Sequence, residues 1–112
     1  MSNCIFCKIV QGEIPSAKIY EDEKIFVFKD INPEAPTHIL LIPKKHIVSL
    51  MDLDDFEIIS HIHKVAQKMA KELGISESGF RLVNNCKEDG GQTVDHLHYH
   101  MLGGRKLQWP PG

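Results

Sequence analysis

The sequence predicts an α+β domain built on an antiparallel sheet. Three observations carry this. Several apolar runs have strand length and are bounded by turn residues. One longer stretch has helical period. The order of these segments shows no regular βαβ alternation, which disfavours a parallel sheet. With 112 residues, the chain suits a single domain spanning 1–112.

In "EDEKIFVFKDINP" turn-like acids precede a β-rich run, Ile25–Phe28, and Asn32-Pro33 ends it. "THILLIP", residues 37–43, predicts a second strand closed by Pro43. Its continuous Ile-Leu-Leu-Ile core predicts burial on both faces. From Asp54 to Leu73 the period changes. Ile58, Ile62, Val65, Met69 and Leu73 recur at spacings of three and four, with Ile59, Ala66 and Ala70 beside them, so an amphipathic helix is expected. Asp54 is its expected N-cap, with Glu57 as capping-box partner, and Gly74 its expected stop. "GFRLVNN" reads as a strand and "CKEDGGQ" as a polar loop. "HLHYHML" reads as a further strand, because histidines alternate with Leu97, Tyr99 and Met101. "LQWPPG" continues neither a sheet nor a helix, since Pro110 and Pro111 lack backbone donors.

Composition excludes several classes. Thirteen Lys and Arg against 15 Asp and Glu leave a formal charge of −2, too little positive charge for a broad nucleic-acid surface. No apolar run is long enough to suggest a membrane span. "MSNCIFCKIV" lacks a basic region followed by a long apolar stretch, so no signal peptide is expected. Three cysteines are an odd number for a disulfide framework, which points to a reducing cytoplasm.

His96, His98 and His100 occupy alternate positions. On a strand they share one face, roughly 6.5–7 Å apart along the chain. Two histidines of an H-x-H strand can hold one zinc, but three in a row span too far to converge easily on one ion. A row suits division of labour instead, with one imidazole attacking and its neighbours orienting or donating. The preceding "EDGGQTVDH" adds small residues and a Thr hydroxyl, which together can approach an anion. Row and loop point to phosphoryl or nucleotidyl transfer. "CIFC" places Cys4 and Cys7 at C-x-x-C spacing, open to reading as a redox pair, half a zinc site or coincidence. His61 and His63 face different directions on the helix and read as surface, and Cys86 reads as an ordinary loop or strand-end residue.

"HLHYHML" resembles the signature of the histidine-triad family. "DINPEAPTHILLIPKKHI", "DGGQTVDHLHYHMLGGR" and "WPPG" are similar to its Hint branch, the purine nucleoside phosphoramidases, over nearly the whole chain from Ile5 to Gly112. The resemblance implies a five-stranded antiparallel sheet, one main helix and a short N-terminal helix. It implies a homodimer whose two sheets join, with the C-terminal segment and Trp109 reaching toward the partner's site. It makes His98 the nucleophile on a nucleotide α-phosphorus, with His100 contacting the phosphate and helping to protonate the leaving amine. His96 would orient the nucleophile, and His38 would support the triad from a neighbouring strand. Asp30 would bind the ribose hydroxyls. Asn85, Gly91, Gln92 and Thr93 would contact the phosphate. Ile5, Phe6, Ile9, Phe28 and Ile31 would wall the purine slot, with Lys29 at the base edge where the family has a small residue or His. No cofactor is implied for catalysis, but Cys4, Cys7, His46 and His96 match a structural zinc set. The alternatives are a dinucleoside polyphosphate hydrolase and a zinc-stabilised nucleotide-binding or adaptor module with incidental hydrolysis.

Overall fold

The computed structural model describes residues 3–112. Five strands form one antiparallel sheet, as the resemblance implies: β1 (Lys18–Glu21), β2 (Ile25–Lys29), β3 (Thr37–Pro43), β4 (Phe80–Val83) and β5 (Tyr99–Gly103), in the order β1-β2-β3-β5-β4. Three helices accompany them: α1 (Ile5–Val10), α2 (Glu57–Glu72) and the single turn α3 (Lys87–Gly90). α3 replaces the expected loop over "CKEDGGQ".

β3 sits at the centre, and all of its residues from His38 to Pro43 are buried, as its unbroken apolar run predicts. Alternation divides its side chains between two cores. Ile39 and Leu41 join Ile25, Val27 and Met101 on one face, against α2. Leu40 and Ile42 join Phe26 and Phe28 on the other, against Phe6 and Ile9 of α1. α2 buries the face its period predicts: Ile58, Ile62, Val65, Ala66, Met69 and Ala70. Each large aliphatic there contributes about 1.5–3 kcal/mol by leaving water.

The ends of α2 show one success and one correction. Gly74 takes φ +76; Ile75 N–H donates to Ala70 O and Gly74 N–H to Lys71 O, satisfying the last carbonyls in a Schellman arrangement. At the start Asp54 is not the cap. The helix begins after Phe56 without a side-chain cap, and Asp55 Oδ1 accepts the Glu57 N–H instead (3.0 Å). β1 supplies the fifth strand that the resemblance implies, at a place its own residues do not announce. Its four residues are half-buried at best and carry no alternating pattern.

The strand expected over "HLHYHML" is shorter than its alternation predicts. β5 begins only at Tyr99. His96 N–H donates to Val94 O (2.8 Å), which bends the chain, and Leu97 N–H donates to Ile47 O (2.6 Å) outside any strand. Among the described residues no helix is long and apolar enough to cross a membrane.

Candidate active site and metal cluster

The bend at His96 aims the three histidines differently while keeping them beside one another. β5 pairs with β3 so that His100 lies opposite Leu40 and His38 opposite Leu102. His38 and His100 are therefore diagonal neighbours on the α1 side of the sheet. His98 and His100 stack edge to face with ring centres 5.1 Å apart. Phe6 of α1 meets the His98 ring at 5.1 Å and the His96 ring at 5.9 Å, also edge on.

Hydrogen bonds assign a tautomer to each imidazole. A carbonyl can only accept, so His98 Nδ1, 2.7 Å from His96 O, carries a proton. Its Nε2 is left with a free lone pair. Glu34 N–H donates to His38 Nδ1 (3.0 Å), so neutral His38 carries its proton on Nε2. That proton faces His100 Nδ1 at 2.9 Å, with Asp30 Oδ2 at 3.3 Å as second acceptor. His100 Nδ1 is therefore an acceptor, and neutral His100 holds its proton on Nε2. The pair is complementary: His98 offers a lone pair and its neighbour a donor. Burial favours the neutral forms of His98 and His100. It pushes His98 below the usual histidine value. It takes His100 to about 4, aided by the neighbouring His98 and His38.

Asn84 was missed by the sequence reading. Its Nδ2 donates to His98 O (3.0 Å), holding the peptide unit of the middle histidine, while its Oδ1 is buried without a partner. Nothing in "LVNN" singles it out from Asn85.

The other expected contacts divide. Asp30 stands beside His38 and His100, its Oδ1 accepting Asn32 N–H. Phe6, Ile9 and Phe28 are buried together in the core under the site, whereas Ile5 and Ile31 point outward, Ile31 with 90% of its surface exposed. Lys29 is exposed at the end of β2. Asn85 lines a cleft of about 720 Å³ with Arg81, Val83, Leu102, Arg105 and the C-terminal segment. Trp109 is 79% exposed and lies 5.7 Å from the Arg81 guanidinium. Exposed Thr93 lines a smaller cleft with Cys4, Ile5 and His46.

The expected anion cradle in "GGQ" does not form as anticipated. Gly91 N–H donates to Glu88 O and Gln92 N–H to Lys87 O, closing the α3 turn. The Gln92 side chain is also occupied: its oxygen accepts Lys87 N–H, and its nitrogen donates to Val48 O (2.7 Å) and Val94 O (3.0 Å). Gln92 staples this loop to the segment after β3. His61 is a further correction. It is half-buried and bonds Asp22 Oδ2 at 2.7 Å.

A second cluster lies behind His96. Its Nε2–H donates to Pro43 O (2.8 Å), so its Nδ1 presents a lone pair. That Nδ1 faces Cys4 Sγ at 3.3 Å and Cys7 Sγ at 3.5 Å. His46 Nδ1 lies 3.3 Å from Cys7 Sγ. The four donor atoms are all within 4.8 Å of one another. A tetrahedral zinc with Zn–S near 2.3 Å and Zn–N near 2.0 Å spaces its donors about 3.3–3.8 Å apart. Cys2His2 is a sound zinc set, and the turned imidazoles meet its geometry. Burial, followed by the Cys4 hydrogen bond, pushes the Cys7 thiol up.

The fold and site define a class: an antiparallel α+β sheet carrying an ordered row of histidines backed by a fourth. The HIT domain model matches residues 11–107. The chain belongs to the HIT domain family. It is 57% identical to a histidine triad protein from Clostridium difficile, with a TM-score of 0.94 and 96% of each chain covered. It is 53% identical to a HIT family hydrolase from Legionella pneumophila, with a TM-score of 0.95, covering 98% of this chain and 100% of that one. A 14 kDa zinc-binding protein from Zea mays is 48% identical over 99% of this chain and 89% of its own length.

Proposed function

We propose that the chain, acting as one domain, is a nucleotide hydrolase that cleaves the P–N bond of purine nucleoside phosphoramidates, and related acyl-nucleotides, through a nucleotidyl-histidine intermediate. The observation that carries this reading is the paired tautomer state of His98 and His100. His98 Nε2, with its lone pair free and Nδ1–H fixed by a carbonyl, attacks the α-phosphorus. The bond to nitrogen breaks and the amine leaves. His100 Nε2–H, set by the His38 contact, donates to the phosphate and the departing nitrogen. Water then attacks the same phosphorus, its proton passing to His100 Nε2 as the bond from phosphorus to His98 Nε2 breaks, and both histidines are restored. Splitting the displacement in two lowers the barrier to each half, and fixed donors stabilise the charge that develops. A Legionella relative described as a HIT family hydrolase adds support.

In this reading Asp30 binds ribose, Ile5 and Ile31 close on the base, and Asn85 and Thr93 approach the phosphate. A zinc ion held by Cys4, Cys7, His46 and His96 would supply rigidity rather than chemistry, fixing the backbone that carries His98. The relative described as zinc-binding supports that assignment. The unpaired edge of β4 is where a second copy would extend the sheet, which agrees with a homodimer. Wild-type protein is expected to hydrolyse adenosine phosphoramidate, and His98→Ala to lose turnover while still binding nucleotide. Equal turnover in the variant would overturn the mechanism. Absence of wild-type turnover across phosphoramidates and acyl-adenylates would favour a binding module.

A further inference from the structure

We propose that Cys4 and Cys7 form a peroxide-sensitive dithiol that regulates the site, closure of their disulfide disabling His98 through His96. The inference rests on the hydrolase reading above and adds its control. Its basis is an unbroken chain of contacts. Both sulfurs lie within 3.5 Å of His96 Nδ1. His96 is fully buried. Its carbonyl holds the nucleophile's Nδ1–H at 2.7 Å. The two sulfurs stand on one turn of chain, with Cys4 Sγ accepting the Cys7 N–H. They lie within 4.8 Å of each other, and both are free thiols.

Cys4 is partly exposed and borders the open cleft lined by Ile5, His46 and Thr93, whereas Cys7 is buried. Cys4 is thus the sulfur that a small hydroperoxide meets. Its sulfur attacks one peroxide oxygen, the O–O bond breaks, and Cys4 sulfenic acid forms as the departing hydroxide takes the thiol proton to become water. Cys7 sulfur then attacks Cys4 sulfur. The S–S bond forms, the S–O bond breaks, and the second hydroxide leaves as water with the Cys7 proton. Two electrons pass from the sulfurs to the peroxide.

A disulfide needs the sulfurs near 2.05 Å, and forming it removes both thiol protons, so neither sulfur can any longer donate to the lone pairs of His96 Nδ1 or His46 Nδ1. His96 Nδ1, on a residue with no exposed surface, then loses its donors. His46 loses its contact with Cys7, and a metal ion held there would lose both sulfur donors. Losing supports of this kind around a functional histidine costs about ten- to a hundredfold in activity. A dithiol reductant reverses the step.

The test treats the full-length protein, with its zinc, with stoichiometric hydrogen peroxide. Four readouts are followed: mass of the peptide carrying Cys4 and Cys7, zinc released to a chromogenic chelator, phosphoramidate turnover, and the ¹⁵N NMR signals of the His98 imidazole. The expected result is loss of two hydrogens from that peptide, zinc release, shifted His98 signals and about tenfold or greater loss of turnover, all reversed by dithiothreitol. Cys86→Ser is expected to respond as wild type does. Whatever turnover Cys4→Ser/Cys7→Ser retains is expected to resist peroxide. The inference is overturned if Cys4 and Cys7 stay alkylatable while Cys86 is oxidised, or if the disulfide forms with His98 signals unmoved. A protein without turnover would sink the hydrolase reading alone, since mass, zinc and NMR still decide the link to His98.

Discussion

Replacing His38 with Ala tests whether the tautomer of His100 is built by the fold. His38 is 7% exposed and makes three polar contacts: it accepts from Glu34 N–H, and its Nε2–H faces His100 Nδ1 at 2.9 Å and Asp30 Oδ2 at 3.3 Å. Without it, His100 Nδ1 loses its donor. The nearest remaining partner is Asp30 Oδ2 at 3.9 Å, an acceptor, which draws the His100 proton to Nδ1. In the proposed mechanism the proton that His100 offers to substrate is then lost. One hydrogen bond between neutral groups is worth about 0.5–1.5 kcal/mol, and one involving a charged partner about 1.5–3 kcal/mol. The tautomer preference therefore falls by about 1–3 kcal/mol, which lowers kcat/KM roughly 5- to 150-fold. Steady-state hydrolysis of adenosine phosphoramidate measures the loss, and ¹⁵N NMR of labelled histidines reads the His100 tautomer. Wild-type kcat/KM together with an unaltered His100 tautomer would refute the reasoning.

Three further outcomes are expected. In Asp22, burial acts to raise the carboxyl, but backbone N–H donors from Lys24 and Ile25, with His61 and Tyr20, outweigh it and leave it at about 2. A carboxyl near 2 folded and 3.8 unfolded stabilises above about pH 4 and loses that effect as pH falls toward 2. The gap is worth about 2.4 kcal/mol, discounted to on the order of 1–2 kcal/mol for a partly exposed group. Urea unfolding is expected to show Asp22→Asn less stable by that amount at pH 7, with roughly half the difference gone by pH 3; a difference independent of pH would contradict it. Gly104 has φ +91, and a Cβ there would stand 2.9 Å from Pro36 Cβ, so Gly104→Ala should cost about 1–3 kcal/mol and lower Tm by several degrees in calorimetry. Elemental analysis of protein purified without chelator is expected to find about one zinc per chain in wild type and far less in Cys4→Ser; equal zinc in both would remove the metal assignment.

The parts of this protein visible in its sequence are those whose reasons are local. "THILLIP" announces β3 because a central strand buries both faces, and α2 announces itself through its period. Gly74 marks the helix end because the left-handed turn there favours glycine. Where local signals tie, the reading slips. Asp54 and Asp55 are equivalent as letters, and only the chain's path into α2 shows that Asp55 accepts the Glu57 N–H. β1 exists because β2 offers it an edge, not because of its own pattern.

The site divides along the same line. The alternation of the letters predicts one strand for the three histidines, but the chain bends before Tyr99, and Leu97 N–H donates there to Ile47 O, about fifty residues away. The Asp22–His61 pair joins β1's end to α2 across 39 residues. Gln92 looked like a phosphate contact because it sits in a glycine-rich loop, yet Val48 claims its amide. Asn84 went unnoticed because its role, holding His98 O, is set only when β4 lies beside β5. Residue types and spacing suggest the chemistry; partners distant in sequence assign each group its protons.

The proposed hydrolase requires a covalent bond between His98 Nε2 and the nucleotide phosphorus. Rapid acid quench of wild-type protein with adenosine phosphoramidate, followed by peptide mass mapping, is expected to find the adenylyl group on His98 during turnover. Hydrolysis proceeding with no adenylylated His98, or with the group on His96 or His100, would contradict it.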